Sequence, residues 1–110
     1  MNKEVKKRWL EVLRSGKFKQ AQGFLHLFDK SRHHTYCCLG VLCKTEGLQA
    51  SKNTCSVGYS FEGEESCTGI PSKFLEKIGL QQYNESTLIN MNDGDRLNFT
   101  EIANWIETNL

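Results

Sequence analysis

The sequence predicts a single α+β domain with about four helices and a small antiparallel sheet. Residues 3–14 and residues 98–110 carry apolar side chains at helical spacing, whereas Val57, Tyr59 and Phe61 alternate as in a strand. Of the 110 residues, 38% are hydrophobic and 25% are charged. This composition provides enough apolar surface for one core and excludes a disordered chain.

The first predicted helix covers residues 3–14 and ends before Gly16, since a glycine adopts the left-handed conformation that terminates helices. The alternation in residues 24–28 predicts a strand. Residues 36–46 form an apolar block whose length favours a short buried helix, with a strand as the alternative. Gly40 within that block costs about 1 kcal/mol relative to Ala in a helix, so it indicates a close approach by backbone or ligand.

Two further helices follow in the C-terminal part. Pro71 begins one that ends at Gly79, and Asn98 can cap the last helix together with Glu101. No run approaches the roughly 18 apolar residues of a membrane span, and no signal peptide is evident. We therefore expect a soluble protein that stays in the cytoplasm.

Charge is distributed unevenly although the formal net charge is only +1. Residues 1–20 hold seven basic and two acidic side chains, and residues 81–110 hold one basic and five acidic side chains. This asymmetry indicates an anion site near the N-terminus or self-association through oppositely charged faces, and a solvated basic helix explains it equally well. A net charge near zero argues against a general DNA-coating protein.

The cysteines and histidines raise the question of a metal or catalytic site. The odd number of cysteines and the absence of an export signal disfavour a disulfide framework. No Cys-x-x-Cys spacing occurs among His33, His34, Cys37, Cys38 and Cys43, and these cysteines border apolar residues. We interpret the thiols as reduced core side chains, with a structural zinc site as an alternative, and we predict no catalytic residue, metal or cofactor.

The segment from Arg14 to Gln20 is the strongest candidate for ligand binding. Arg14, Lys17 and Lys19 can neutralise phosphates, and Phe18 can stack on a base. Such a segment suits a nucleotide or a short oligonucleotide, and a solvated basic turn fits the same residues.

Several sequence blocks, in the same order, make the chain resemble a widespread family of small bacteriophage-encoded proteins. The most specific block is Cys37-Cys38-Leu39-Gly40-Val41-Leu42-Cys43. The others are Trp9–Gln20, Ile70-Pro71, Met91-Asn92-Asp93-Gly94 and Phe99–Glu107. The resemblance excludes about residues 48–68, and the chain departs from the family pattern at Asp29–His34 and at Lys44-Thr45.

The resemblance implies a phage anti-defence protein that binds and sequesters a cyclic nucleotide immune signal without turnover, as anti-CBASS sponges do. It implies a cyclic di- or trinucleotide ligand and a homo-oligomer, dimer or tetramer, in the cytoplasm of an infected bacterial cell. The expected ligand-binding residues comprise cations for the phosphates, rings for the bases, polar groups for base edges and small residues at the pocket wall: Arg14, Lys17, Lys19, Phe18, Tyr36, Gln20, Asn92, Asp93, Cys38 and Gly40.

Two other functions stay open. A protein inhibitor of a host defence enzyme would use the acidic last helix, with Trp105 as an anchor. A nucleic-acid-binding phage accessory protein would use the first helix, and its affinity would fall steeply with salt.

Overall fold

Five helices and two three-stranded sheets make up the fold in a computed structural model that describes all 110 residues. The helices are α1 (Lys3–Arg14), α2 (Cys38–Thr45), α3 (Ser72–Ile78), α4 (Gln82–Ile89) and α5 (Phe99–Asn109), and one π-helical turn, Asn90–Gly94, follows α4. The strands are β1 (Lys19–Gln20), β2 (His26–Phe28), β3 (His34–Tyr36), β4 (Gln49–Lys52), β5 (Val57–Phe61) and β6 (Glu64–Ser66). The predicted α+β class is confirmed, with one more helix and one more sheet than expected.

The first sheet is mixed, whereas the sequence predicts an antiparallel one. Its strand order is β1-β3-β2; β2 pairs with β3 in antiparallel fashion, and β1 pairs with the other edge of β3 in parallel. β1 and β3 share a direction because the chain reverses both before and after β2. The second sheet, β4-β5-β6, is antiparallel throughout and contains the predicted alternating strand.

Helix α2 lies in the core. Every residue from Cys38 to Cys43 is buried, as suits a helix that is apolar on all sides. The indole Nε1 of Trp9 in α1 donates a hydrogen bond to the Cys38 carbonyl (2.9 Å). At the N-terminus of α2, the Cys37 sulfur accepts a hydrogen bond from the Gly40 N–H. The predicted buried helix is confirmed, and the strand alternative is wrong.

Gly40 allows the backbone that precedes β2 to touch α2. A Cβ atom on Gly40 would lie 2.6 Å from the carbonyl carbon of Leu25 and closer still to its oxygen. The Leu25 carbonyl accepts a hydrogen bond from the Cys37 N–H (3.2 Å), and the Leu25 N–H donates to the Cys67 carbonyl (2.8 Å). The close approach predicted from the mid-helix glycine is therefore made by backbone.

Helices α1 and α5 bring the basic and acidic ends of the chain together. The Arg14 guanidinium donates hydrogen bonds to the Glu107 carboxylate (3.2 and 3.3 Å) and to the Asn104 side chain (2.9 Å). The Lys6 ammonium donates to the Glu107 carbonyl (3.1 Å). The basic side chains of α1 are thus partly paired with the acidic last helix of the same chain.

The predicted helix ends are confirmed. Helix α5 begins with a capping box formed by Asn98 and Glu101. Helix α3 follows Pro71 and ends at Gly79, whose φ is +73°, and Gly16 after α1 has a φ of +76°. None of the helices is long and apolar enough to cross a lipid bilayer.

The predicted strand over residues 24–28 is only partly correct. Strand β2 begins at His26, and Phe24 is 40% exposed whereas Leu25 is fully buried. Leu25 takes this position because its backbone bonds to residues outside the first sheet, Cys37 and Cys67.

Candidate functional site

A surface cavity of about 350 Å³ lies where the turn after α1 meets the turn between β2 and β3. We call it the basic pocket, and the residues that line it are Lys17, Phe18, Lys19, Arg32, His33, His34 and Tyr36. Four of the predicted ligand-binding residues, Lys17, Phe18, Lys19 and Tyr36, therefore come together in one cavity, and no carboxylate lines it.

The basic pocket differs from the other large cavities in its charge. A cavity of about 450 Å³ contains Arg8 and Glu46, which form a two-point ion pair with both distances 2.9 Å. Another, of about 500 Å³, combines two lysines with two glutamates. In the basic pocket, the side chains of Lys17, Lys19 and Arg32 form no ion pair within the protein. These cations give the pocket a positive potential that favours an anion.

Aromatic rings form one wall of the pocket. The rings of Phe18 and Tyr36 meet edge to face, with centroids 4.8 Å apart and an interplanar angle of 86°. Tyr36 in turn stacks on the His26 imidazole at 4.1 Å. Tyr36 is 6% exposed and Phe18 is half-buried, so Phe18 offers more surface on which a base can stack.

The turn between β2 and β3 places Arg32 at the pocket. The Asp29 carboxylate accepts hydrogen bonds from the N–H groups of Ser31 (2.9 Å) and His33 (3.0 Å). These bonds, that of His33 above all, hold the pKa of Asp29 below its usual value. Arg32 has a φ of +60°, a left-handed conformation that costs a non-glycine residue about 1–2 kcal/mol. Our sequence reasoning missed Arg32, although an Asp at the start of a polar turn is typical of such a loop.

A chain of three hydrogen-bonded side chains runs from the pocket to the second sheet. Nδ1 of His34 lies 2.7 Å from Nε2 of His26, and Nδ1 of His26 lies 2.8 Å from the Tyr59 hydroxyl. His26 is 5% exposed; its burial, and then the positive charges of His34, Lys44 and Lys52, lower its pKa to about 4. His26 is therefore neutral at pH 7. The sequence pattern does not predict these hydrogen bonds, because Tyr59 is 33 residues away from His26.

Gln20 and Asn92 use their side-chain amides inside the protein. The Asn92 Oδ1 accepts hydrogen bonds from the Gln20 Nε2 (2.8 Å) and the Cys38 N–H (3.2 Å). The Asn92 Nδ2 donates to the Ala21 carbonyl and to the Asp93 carboxylate, both at 2.8 Å. Asn92 is fully buried with its amide satisfied, so the prediction that it reads a base edge is corrected. The amide instead connects the first sheet, α2 and the π-helical turn, and Asp93 lies outside the pocket lining.

Three other predicted binding residues also lie outside the basic pocket. Cys38 is fully buried, and Gly40 touches the backbone of Leu25. The prediction that Cys38 and Gly40 line a pocket wall is therefore wrong, because their small size serves core packing. Arg14 is engaged with Glu107 on α5.

The cysteines do not join the histidines in a metal-binding cluster. No three His, Cys, Asp or Glu side chains lie close enough to hold a metal ion. Burial raises the pKa of the Cys37 thiol to about 11, and it also raises the pKa values of Cys38 and Cys43. These three thiols are thus protonated at neutral pH.

Trp105, the expected anchor for a protein partner, is half-buried and packs against the core. The large apolar side chains with high exposure are Phe24 and Tyr83, at 40% and 70%. Helix α5 therefore does not present Trp105 as a fully exposed anchor.

Comparison with known proteins identifies one family. A family model described as a domain of unknown function (DUF8296) matches residues 1–69, which is more than half of the chain. No curated protein and no solved structure matches the chain. The matched segment contains α1, the first sheet and every residue that lines the basic pocket.

Proposed function

We propose that this chain, which belongs to the DUF8296 family, binds and sequesters a cyclic di- or trinucleotide immune signal without turnover, as a phage anti-defence protein. The observation that carries the proposal is the basic pocket, where Lys17, Lys19 and Arg32 stand beside the half-buried ring of Phe18. Cations bind phosphates and an aromatic ring stacks on a base, so this combination suits a nucleotide. The resemblance of the Cys37–Cys43 block to small bacteriophage proteins supports the biological setting.

The size of the pocket favours a ligand that is shared between subunits. Its volume of about 350 Å³ is at the lower end of the roughly 300–1,000 Å³ typical of ligand pockets, and it suits one nucleotide unit of the ligand. A cyclic dinucleotide has two phosphates and two bases, so two copies related by a two-fold axis would each supply one pocket. We therefore propose a homo-oligomer, dimer or tetramer, that encloses the ligand between pockets.

The cations and the aromatic rings of the pocket have different proposed roles. Lys17, Lys19 and Arg32 neutralise phosphate, and Phe18 stacks on a base. Tyr36 supports Phe18 through their edge-to-face contact.

Native mass spectrometry tests the proposal. The protein is incubated with cyclic di-AMP, cyclic di-GMP, cyclic GMP-AMP and cyclic tri-AMP, and the spectra report the subunit count and the ligand mass. We expect a discrete dimer or tetramer that carries an intact cyclic nucleotide. A protein that stays ligand-free with all four probes refutes cyclic nucleotide binding, and a bound product of altered mass refutes sequestration without turnover.

A pair of charge-matched variants locates the site. Lys17→Ala combined with Lys19→Ala should weaken nucleotide binding at least about 100-fold, since each charged hydrogen bond contributes roughly 1.5–3 kcal/mol. Lys3→Ala combined with Lys7→Ala removes the same charge from exposed positions of α1 outside the pocket. We expect this control pair to bind like the wild type. Equal losses in both pairs would contradict the pocket assignment and favour general charge-driven binding, as in a nucleic-acid-binding protein.

A further inference from the structure

His34 has one ring nitrogen that is bonded within the protein and one that is not. Its Nδ1 lies 2.7 Å from Nε2 of His26, whereas its Nε2 makes no hydrogen bond within the protein. Because His34 lines the basic pocket, Nε2 is the nitrogen available to a ligand.

The protons in the chain Tyr59–His26–His34 have two arrangements when both histidines are neutral. In the first, the Tyr59 hydroxyl donates to His26 Nδ1, and His26 Nε2 donates to His34 Nδ1. In the second, His34 Nδ1 donates to His26 Nε2, and His26 Nδ1 donates to the Tyr59 oxygen. A protonated His34 carries hydrogen on both nitrogens, so it is compatible only with the second arrangement.

We propose that an oxyanion in the basic pocket is bound by the protonated imidazole of His34, and that this binding takes up one proton and selects the second arrangement. The inference rests on the anion-binding role proposed above for the pocket. His26 acts as a positioning residue, because it accepts the Nδ1–H of His34 and so leaves the Nε2–H of His34 for the anion. The Tyr59 oxygen accepts a hydrogen bond from the Nδ1–H of His26.

The surrounding charges couple the proton to the anion. The positive side chains of Lys17, Lys19 and Arg32 line the pocket together with His34 and the titratable His33, and the charges of Lys44 and Lys52 act on His26. The carboxylate nearest in the chain, Asp29, is already engaged with His33. A bound anion adds negative charge beside His34 and so favours the protonated form of its imidazole.

Sulfate is a suitable probe because its own charge is constant near neutral pH. The ring nitrogens of the full-length protein are followed by ¹⁵N-imidazole NMR while sodium sulfate is added, with sodium chloride at equal ionic strength as the control. We expect sulfate, but not chloride, to place protons on both nitrogens of His34 and to leave His26 neutral with its proton on Nδ1. A His34 that gains no proton, or a His26 that becomes charged, overturns the inference.

Two variants test the link between proton uptake and sulfate binding. Wild-type sulfate affinity should fall by up to about tenfold per pH unit as the pH rises, which is the slope for one linked proton. His34→Gln should abolish this slope, whereas Lys3→Ala combined with Lys7→Ala, at exposed positions outside the pocket, should retain it. A wild-type affinity that does not depend on pH, or loss of the slope in the Lys3→Ala and Lys7→Ala pair, contradicts the inference.

The sulfate and nucleotide experiments test the inference and the proposed function separately. If sulfate protonates His34 while no cyclic nucleotide appears in the mass spectra, only the proposed function is refuted. If a cyclic nucleotide binds while sulfate leaves His34 unchanged, only the inference is refuted.

Discussion

Replacing Gly40 by Ala tests whether this glycine serves the core, as its contact with Leu25 indicates. On helix propensity alone, Gly40→Ala should stabilise the protein by about 1 kcal/mol. A Cβ atom there would overlap the Leu25 carbonyl group, whose carbon would lie only 2.6 Å away. The neighbour is backbone, so it cannot turn away as a flexible side chain can. We therefore expect Gly40→Ala to destabilise the protein.

The expected magnitude follows from three contributions. Overpacking costs about 1–3 kcal/mol. Moving the Leu25 carbonyl also weakens its hydrogen bond from the Cys37 N–H, at a cost of about 1 kcal/mol. After the gain of about 1 kcal/mol in helix propensity is subtracted, the free energy of unfolding should fall by roughly 1–3 kcal/mol.

Urea unfolding measured by circular dichroism provides the assay for Gly40→Ala. With a slope of roughly 1–2 kcal/mol/M for a chain of this size, the urea midpoint should fall by about 0.5–3 M. Gly58→Ala is the matched control, because its nearest neighbours are the flexible side-chain atoms of Glu65, at 3.3 Å and beyond. We expect the control to keep a urea midpoint above that of Gly40→Ala, because the Glu65 side chain can move away whereas the Leu25 backbone cannot. A Gly40→Ala protein with an unchanged or higher midpoint would refute the backbone contact as the reason for glycine.

Two further predictions concern the basic pocket and the histidine behind it. Arg32 and Arg96 both have left-handed backbones, with φ +60° and +54°. Changing either to Gly should raise the urea midpoint by the equivalent of about 0.5–1 kcal/mol, since relief of about 1–2 kcal/mol of strain exceeds the entropy gained by the unfolded chain. Only Arg32→Gly should also weaken cyclic nucleotide binding in calorimetry, and equal binding by wild type and Arg32→Gly would contradict its role. The pKa of folded His26, about 4, lies below its ordinary 6.5, so the unfolded chain binds more protons between these values. The free energy of unfolding should therefore decrease by roughly 3 kcal/mol as the pH falls from 6.5 to 4, and urea midpoints that depend equally on pH in His26→Gln would disprove this link.

The helices could be predicted from the sequence because their signals are local. Apolar spacing over residues 3–14, the capping pair Asn98 and Glu101, and the terminating Gly79 all act within one or two turns of the chain. The strand Val57–Phe61 was equally evident from its alternation. Helix α4 was missed because its sequence is mostly polar and has no helical stripe of apolar residues, and only Leu88 is buried in it.

The candidate site could be predicted only in part. Lys17, Phe18 and Lys19 were identified because they are adjacent in the chain, and they do line one cavity. Arg32 was missed because it comes from a separate turn that reaches the pocket only when β2 pairs with β3. Asn92 was predicted to read a base edge, since its polarity alone does not reveal that four partners already satisfy its amide.

Residue types and their local order were thus sufficient for the fold class, most of the helices and the basic segment after α1. Which charges remain available to a ligand required the folded chain, because charges are neutralised by residues that are distant in sequence. Arg14 and Lys17 are both basic residues of the same segment. Arg14 pairs with Glu107, 93 positions away, whereas Lys17 has no acidic partner. His26 and His34 are likewise equivalent in the sequence. Folding buries His26 against Tyr59 and leaves a nitrogen of His34 at the pocket, because desolvation and hydrogen bonding depend on neighbours in space.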